Sequence, residues 1–311
     1  MRKNLIVVLI LILLSSIILS ACDGMGQVKG VKERGEIQEE PEITVEMTNG
    51  EKETLKLEEY ITGVVAGEMN TDWPDNAYGA QAILARTYAL KYMEENNTKT
   101  ISSSFVDAQE YAKDKVTEKI RAAVKDTRGE VALYNDQYIK GWFHASAGGE
   151  TTSAKVGLAY PKDEPAYVKS VKSPDDKAPE DIKNWTVSFT TAELEEALKK
   201  MGKEIGSIKD FKIKGKDNTN RATEFEFEGS NGNAVVKAAN YRKELDPKKL
   251  KSIKIKSIDK KDNSFEISGS GFGHGVGLSQ WGAYSMALDN KKSEDIIKHY
   301  YKDIEIVKLY D

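Results

Sequence analysis

Glu68 lies on a stretch whose apolar residues recur in steps of three and four: Leu57, Ile61, Val64 and Val65. That spacing puts all five side chains on one face of a helix. An acid held on an apolar face is disfavoured as an ion. Its pKa rises, and near neutral pH it keeps the proton that a general acid must give. A glutamate in a last helical turn can also bend out to water, and the pattern alone leaves both readings open. Ala77, Gln81, Leu84 and Tyr88 share a face of the next helix, and Arg86 follows an apolar run at 82–85. Buried polar groups need partners. These residues therefore form either a structural network with Glu68 or the lining of a polar cleft.

Two further segments carry candidate chemistry. His144 opens HASAGG, which includes Ser146, and His274 lies inside the glycine-rich GSGFGHGVG of residues 269–277, ahead of Gln280. The glycines allow positive φ and close approach of backbone to a ligand. The spacing is neither a dinucleotide fingerprint nor a phosphate loop. With three histidines, one cysteine and no His-Glu-x-x-His, the chain is expected to hold no metal, and no other cofactor is implied. Gly-x-Ser-x-Gly is absent, which disfavours a serine hydrolase.

The elements that must position these residues are mixed. Periodicity predicts helices over 57–69, 75–95, 117–126, 190–201, 278–288 and 293–301, the fourth opened by a Thr190/Glu193 capping box. Strands are expected near 43–47, 131–134, 138–143, 211–213, 224–228, 234–237, 253–258 and 265–267, with turns at Asn49-Gly50 and Asn135-Asp136. This is an α+β pattern: one catalytic domain of helices and antiparallel strands over 45–311, with an inserted β-rich subdomain at about 185–267.

The N-terminal region has its own logic. Arg2 and Lys3 precede an apolar run from Leu5 to Leu14, which relaxes into LSAC at Cys22. A basic start, a short apolar core and small residues before a cut site describe an export signal over 1–21. The run is short for a spanning helix. The LSAC ending resembles the lipobox of bacterial lipoproteins and makes Cys22, the only cysteine in 311 residues, the expected site of lipidation. Residues 22–44, rich in glycine and charge, read as a tether. The expected place is the outer face of a membrane. The net charge is −4, and losing Arg2 and Lys3 takes it to −6, which argues against nucleic acid as a partner.

Several segments together resemble the SpoIID/LytB family: LEEYITGVVAGEM at 57–69, Trp73-Pro74, AQAILARTYAL at 80–90, HASAGGET at 144–151 and GHGVGLSQWGA at 273–283. The resemblance implies a peptidoglycan lytic transglycosylase that cleaves the MurNAc–GlcNAc bond and leaves 1,6-anhydroMurNAc ends. It implies Glu68 as the catalytic acid and base. Gln81, Arg86, Tyr88, Ser146, His274 and Gln280 become expected glycan contacts. Glycan strands stripped of stem peptides become the expected substrate, and a SpoIIP-like amidase a possible partner. Two departures stand out. Asn70 replaces the family's proline, and Ala147 stands where some members place a zinc-binding cysteine. A non-catalytic module that enhances a partner amidase is the alternative, and a purely structural lipoprotein would leave the His274 loop without a use.

Overall fold

Helix α1 (Leu57–Glu68) is buried on nearly every side from Leu57 to Ala66, so it is a central helix rather than a surface one. Trp73 and Pro74 separate it from α2 (Asp75–Asn96), which starts after Pro74 and ends at Asn97 in the left-handed region. α2 is likewise buried along most of its length, and the two helices pack together. Helix α3 (Glu118–Asp126) follows, its N-terminus capped by Thr117, whose side chain accepts from the Ile120 amide. The structure, a computed structural model, describes residues 32–33, 39–104 and 109–311. The expected export signal, Cys22 and most of the expected tether lie outside these residues. Among the described residues, no helix is long and apolar enough to cross a membrane.

Small sheets surround the helices, and the fold is α+β. Strand Glu42–Glu46 forms a hairpin with Lys52–Lys56 and also pairs in parallel with Thr100–Ser102. Strand Glu130–Tyr134 pairs antiparallel with Gln137–Tyr138 and with Glu305–Lys308. Asn135 and Asp136 both take positive φ, the geometry of a tight two-residue hairpin turn. Lys32 and Glu33, inside the stretch read as a tether, pair in parallel with Val307 and Lys308.

The strand expected over 138–143 is instead two pieces. Gly141 has φ +60 and lies against the backbone of α2 at Leu84 and Tyr88. The chain turns there, and Phe143–His144 leaves the hairpin to pair in parallel with Leu278–Ser279. This break carries His144 to the glycine-rich loop.

A second hydrophobic cluster is built within 185–267. Strands Ile208–Lys216, Ala222–Gly229 and Gly232–Lys237 form one sheet, and Trp185–Thr190, Ser264–Gly269 and Ile255–Lys261 another. Phe211, Phe225, Phe227, Tyr241 and Phe265 pack between them, with Phe211 and Phe227 stacked at 4.4 Å. Helix α4 (Thr191–Lys200) closes one side, and its capping box forms as the sequence predicts: the Glu193 amide donates to Thr190 Oγ1 while the Glu193 carboxylate accepts from the Thr190 amide. Strand Trp185–Thr190 and helix α5 (Ala238–Leu245) have no counterpart in the sequence reading. α5 is short and has no side-chain cap, so it lacks the usual start signal. Helices α6 (Gln280–Leu288) and α7 (Ser293–Tyr300) follow, the first capped by Ser279, and lead into the strand Glu305–Lys308.

Candidate active site

A cleft of about 860 Å³ opens beside Glu68. One wall comes from the end of α1, from Tyr88 of α2 and from Gln109 and Glu110. Trp142 to Ala145, Phe272 to His274, and residues of α5 and the turn after it line the rest. A second opening of about 520 Å³, bounded by residues 66–72 and Lys115, shares Gly67 and Glu68 with the first. Glu68 thus stands where two openings meet.

Gly67 explains how the acid is held. A Cβ there would strike the Glu110 carbonyl, so the segment at 110 lies directly on the helix end. That approach delivers the Glu110 amide to Glu68, whose Oε1 accepts it at 2.8 Å. The Gln280 side chain also donates to the carboxyl. Burial nevertheless wins. Desolvation raises the Glu68 pKa to about 7, the Glu110 charge adds to the rise, and the two hydrogen bonds oppose it. The group can therefore carry or release a proton at neutral pH.

The other expected contacts divide. Tyr88, His274 and Gln280 line the cleft with Glu68. Burial raises Tyr88 to about 12, so it stays a phenol and a donor. Gln81 does not reach the cleft. It is fully buried behind Gln280, whose Nε2 donates to Gln81 Oε1 at 3.4 Å. Gln81 is thus a partner of a cleft residue.

Arg86 is also misassigned by the sequence reading. It has no exposure. Its Nε and Nη2 donate to Glu58 at 2.8 and 2.7 Å, and Nη1 donates to the Glu130 carbonyl at 2.7 Å. Tyr310 from the chain's far end donates to the same glutamate at 2.7 Å. Arg86 ties helices, strand and C-terminus together, and Glu58, which the sequence reading passed over, is its partner. Ser146 is likewise structural. Its Oγ donates to buried Asp175 at 2.9 Å, as do Ser279 at 2.9 Å and Ser173 at 2.5 Å.

His144 and His274 face each other with ring centroids 5.3 Å apart. Burial pushes His144 down to about 3 and His274 well below the ordinary histidine value, so both are neutral. The Val276 backbone fixes their tautomers. Its amide donates to His274 Nδ1 at 3.0 Å, and its carbonyl accepts from His144 Nδ1 at 3.1 Å. Gly277, with φ +70, lets this loop lie against the Trp142 carbonyl and the Tyr301 hydroxyl.

Sequence reasoning missed Glu110, which acts through a backbone N–H that no motif marks. It also missed Trp142 and the α5 wall, including Arg242. The profile of the SpoIID family, described as stage II sporulation protein, matches residues 46–134, and that of a domain family of unknown function matches 160–277. The chain is 32% identical to stage II sporulation protein D of Bacillus subtilis over 278 residues, spanning 83% of this chain and 76% of that one. The chain belongs to the SpoIID family. An uncharacterized protein of Brachyspira hyodysenteriae is 33% identical over 81% of this chain and 67% of its own length. The amidase enhancer of Bacillus subtilis is more distant, at 24% identity over 78% of this chain and 39% of its own.

The two departures from the SpoIID pattern have structural settings. The Asn70 carbonyl accepts from the Tyr78 hydroxyl at 2.6 Å, and that hydroxyl accepts from the Trp73 amide at 2.8 Å, which fixes the loop below Glu68. Ala147 is buried and offers only its carbonyl, to Arg221 Nη2 at 2.7 Å. His274 accepts at Nδ1, so its Nε2 carries the proton, and no thiolate stands at 147; these residues do not fit a zinc ion held by two histidines and a cysteine. Among the described residues, no group of histidine, cysteine and acidic side chains is arranged to hold a metal.

Proposed function

We propose that this SpoIID chain is a peptidoglycan lytic transglycosylase in which Glu68 serves as both acid and base. The observation that carries the reading is one carboxyl group with a pKa of about 7 at the junction of two openings, each bounded by Glu68. Protonated Glu68 gives its proton to the oxygen between MurNAc and GlcNAc, and the bond from that oxygen to MurNAc C1 breaks. The MurNAc C6 hydroxyl then attacks C1, and its proton returns to the carboxylate. The products are a GlcNAc hydroxyl and a 1,6-anhydroMurNAc end, with no water consumed. A pKa near the working pH suits a group that must serve in both steps.

Glu110 is the other acid in the cleft wall, but its carboxylate is turned towards Lys115 at 3.8 Å. If it activated water instead, the cleft would be a two-carboxylate hydrolase and the product would be a reducing end. Incubation of purified protein with denuded glycan strands, followed by mass spectrometry, separates the outcomes. Anhydro ends from wild type and none from Glu68→Gln are expected. Reducing ends, or equal activity from the variant, would refute the assignment.

The relationship to the amidase enhancer motivates a second reading, a glycan-binding module that stimulates an amidase without products of its own. That reading predicts stimulation indifferent to Glu68→Gln. A SpoIIP-like amidase is the proposed partner in either case. The proposed location is the outer face of a membrane, through lipid on Cys22. Cys22→Ala should move the protein to the soluble fraction while the purified variant still cleaves glycan. Retention in the membrane fraction would refute the anchor.

A further inference from the structure

The α5 wall of the cleft is cationic, and one of its charges is held in an unusual way. Arg242 lies among the cleft-lining residues. Its Nε donates to the Leu250 carbonyl at 2.7 Å, and its Nη2 donates to those of Pro247 and Lys251 at 2.7 and 2.9 Å. Three backbone carbonyls thus lock the guanidinium plane. Nη1 bonds to none of the described residues, and no carboxylate among them forms an ion pair with Arg242. The acid that acts on it is Asp246, whose Oδ1 is engaged by the Lys248 and Lys249 amides. Burial lowers the Arg242 pKa to about 10, which leaves it charged at neutral pH. Lys243, exposed on the next position of α5, lines the same wall, as does Lys248.

A half-buried cation with no carboxylate in ion-pair contact is costly. Here the fold goes further and fixes its orientation with Nη1 left over, at the surface of a cleft. A guanidinium so held is organised for a carboxylate or phosphate oxygen. The same cleft is lined by the acids Glu68 and Glu110, so it carries both signs of charge.

We propose that Arg242, with Lys243 beside it, binds the lactyl carboxylate of a muramic acid residue in the cleft. This rests on the reading of the cleft as a glycan site and adds what selects the bond. In a strand of alternating GlcNAc and MurNAc the backbone linkages are alike, and only every second sugar carries an anion. A fixed cation in the same cleft as the acid therefore sets the register of the strand on Glu68. An amide-linked stem peptide removes that anion, so unsubstituted strands are preferred for the same reason.

Binding tests this apart from turnover. The Glu68→Gln protein is titrated calorimetrically with a GlcNAc–MurNAc tetrasaccharide bearing free lactyl carboxylates, with the same sugar after reduction of its carboxyls to alcohols, and with chitotetraose. The free acid should bind about tenfold or more tighter than the reduced form, the scale of one hydrogen bond to a charged group. Adding Arg242→Gln should abolish that preference and leave chitotetraose affinity unchanged. Should that variant lose its thermal unfolding transition, Lys243→Gln, at an exposed position, should still cut the preference by about two- to fivefold. Equal affinity for acid and reduced sugars, or a preference that survives both substitutions, would overturn the inference. Preference for the acid without anhydro products from wild type would refute the transglycosylase reading alone. Anhydro products formed equally from acid and reduced strands would refute the register role alone.

Discussion

Glu68→Gln should make the protein more stable, and increasingly so as pH rises. The side chain's pKa rises from 4.5 to about 7 on folding, chiefly through burial. A group whose pKa is raised by folding contributes its full stability below the unfolded value and loses it as pH climbs through the folded one. Each unit is worth about 1.4 kcal/mol. The wild type therefore carries a penalty under about 1 kcal/mol at pH 5, growing to about 3 kcal/mol at pH 8.5. Glutamine is neutral at both pH values. Its oxygen can still accept from the Glu110 amide, so the substitution leaves that bond in place.

Urea unfolding of both proteins at pH 5 and pH 8.5 measures the effect. Glu130, also raised to about 7 by burial, and the depressed histidines titrate in both proteins and cancel in the comparison. The stability gained by the variant should grow by about 2–3 kcal/mol between the two pH values. A gain that is the same at both, or larger at pH 5, would refute the claim that Glu68 is desolvated. A variant that gains stability as it loses glycan cleavage would mark Glu68 as strain kept for function.

Other substitutions separate scaffold from site. Arg86→Met leaves Glu58 buried without its ion pair and should cost about 3–5 kcal/mol in urea unfolding. The folded fraction should cleave glycan at the wild-type rate, and a fall in turnover without a loss of stability would return Arg86 to the cleft. Gly277→Ala places a Cβ against the Trp142 carbonyl and the Tyr301 hydroxyl at φ +70. It should lower the thermal midpoint by several degrees or prevent folding, and an unchanged midpoint would show that the loop yields easily.

The helices were legible because their periodicity is long and their boundaries are marked, as at Pro74 and Thr190. The roles of polar residues on those helices were not. Gln81, Arg86 and Glu68 give the same signal, a polar residue on an apolar face. What separates them is the partner each meets: Gln280 from some 200 residues on, Glu58 and Tyr310, or the Glu110 amide and open space. Partners that distant leave no trace in local spacing. Gly141 shows the same limit for the backbone. Its neighbours read as one strand, and only contact with α2 reveals that the chain must turn there. Arg242 lies in an ordinary basic stretch, and nothing in the sequence says that three carbonyls will clamp it.

Glu68 takes its character from a balance that no single segment supplies. As the last residue of α1 it sits at the negative end of the helix dipole, which disfavours a carboxylate. The cleft walls restrict its solvation, and Glu110 brings a like charge near. Against these stand the Glu110 amide and the Gln280 side chain, the latter braced from behind by Gln81. Stronger hydrogen bonding would draw the pKa towards that of an ordinary carboxylate and empty the donor. Deeper burial would keep the proton in place and prevent the return step. A value of about 7 lies between these failures. The balance needs α1, the 109–110 segment, α6 and a cleft that α5 helps to line, so the acid's chemistry belongs to the assembled domain rather than to the motif that contains it.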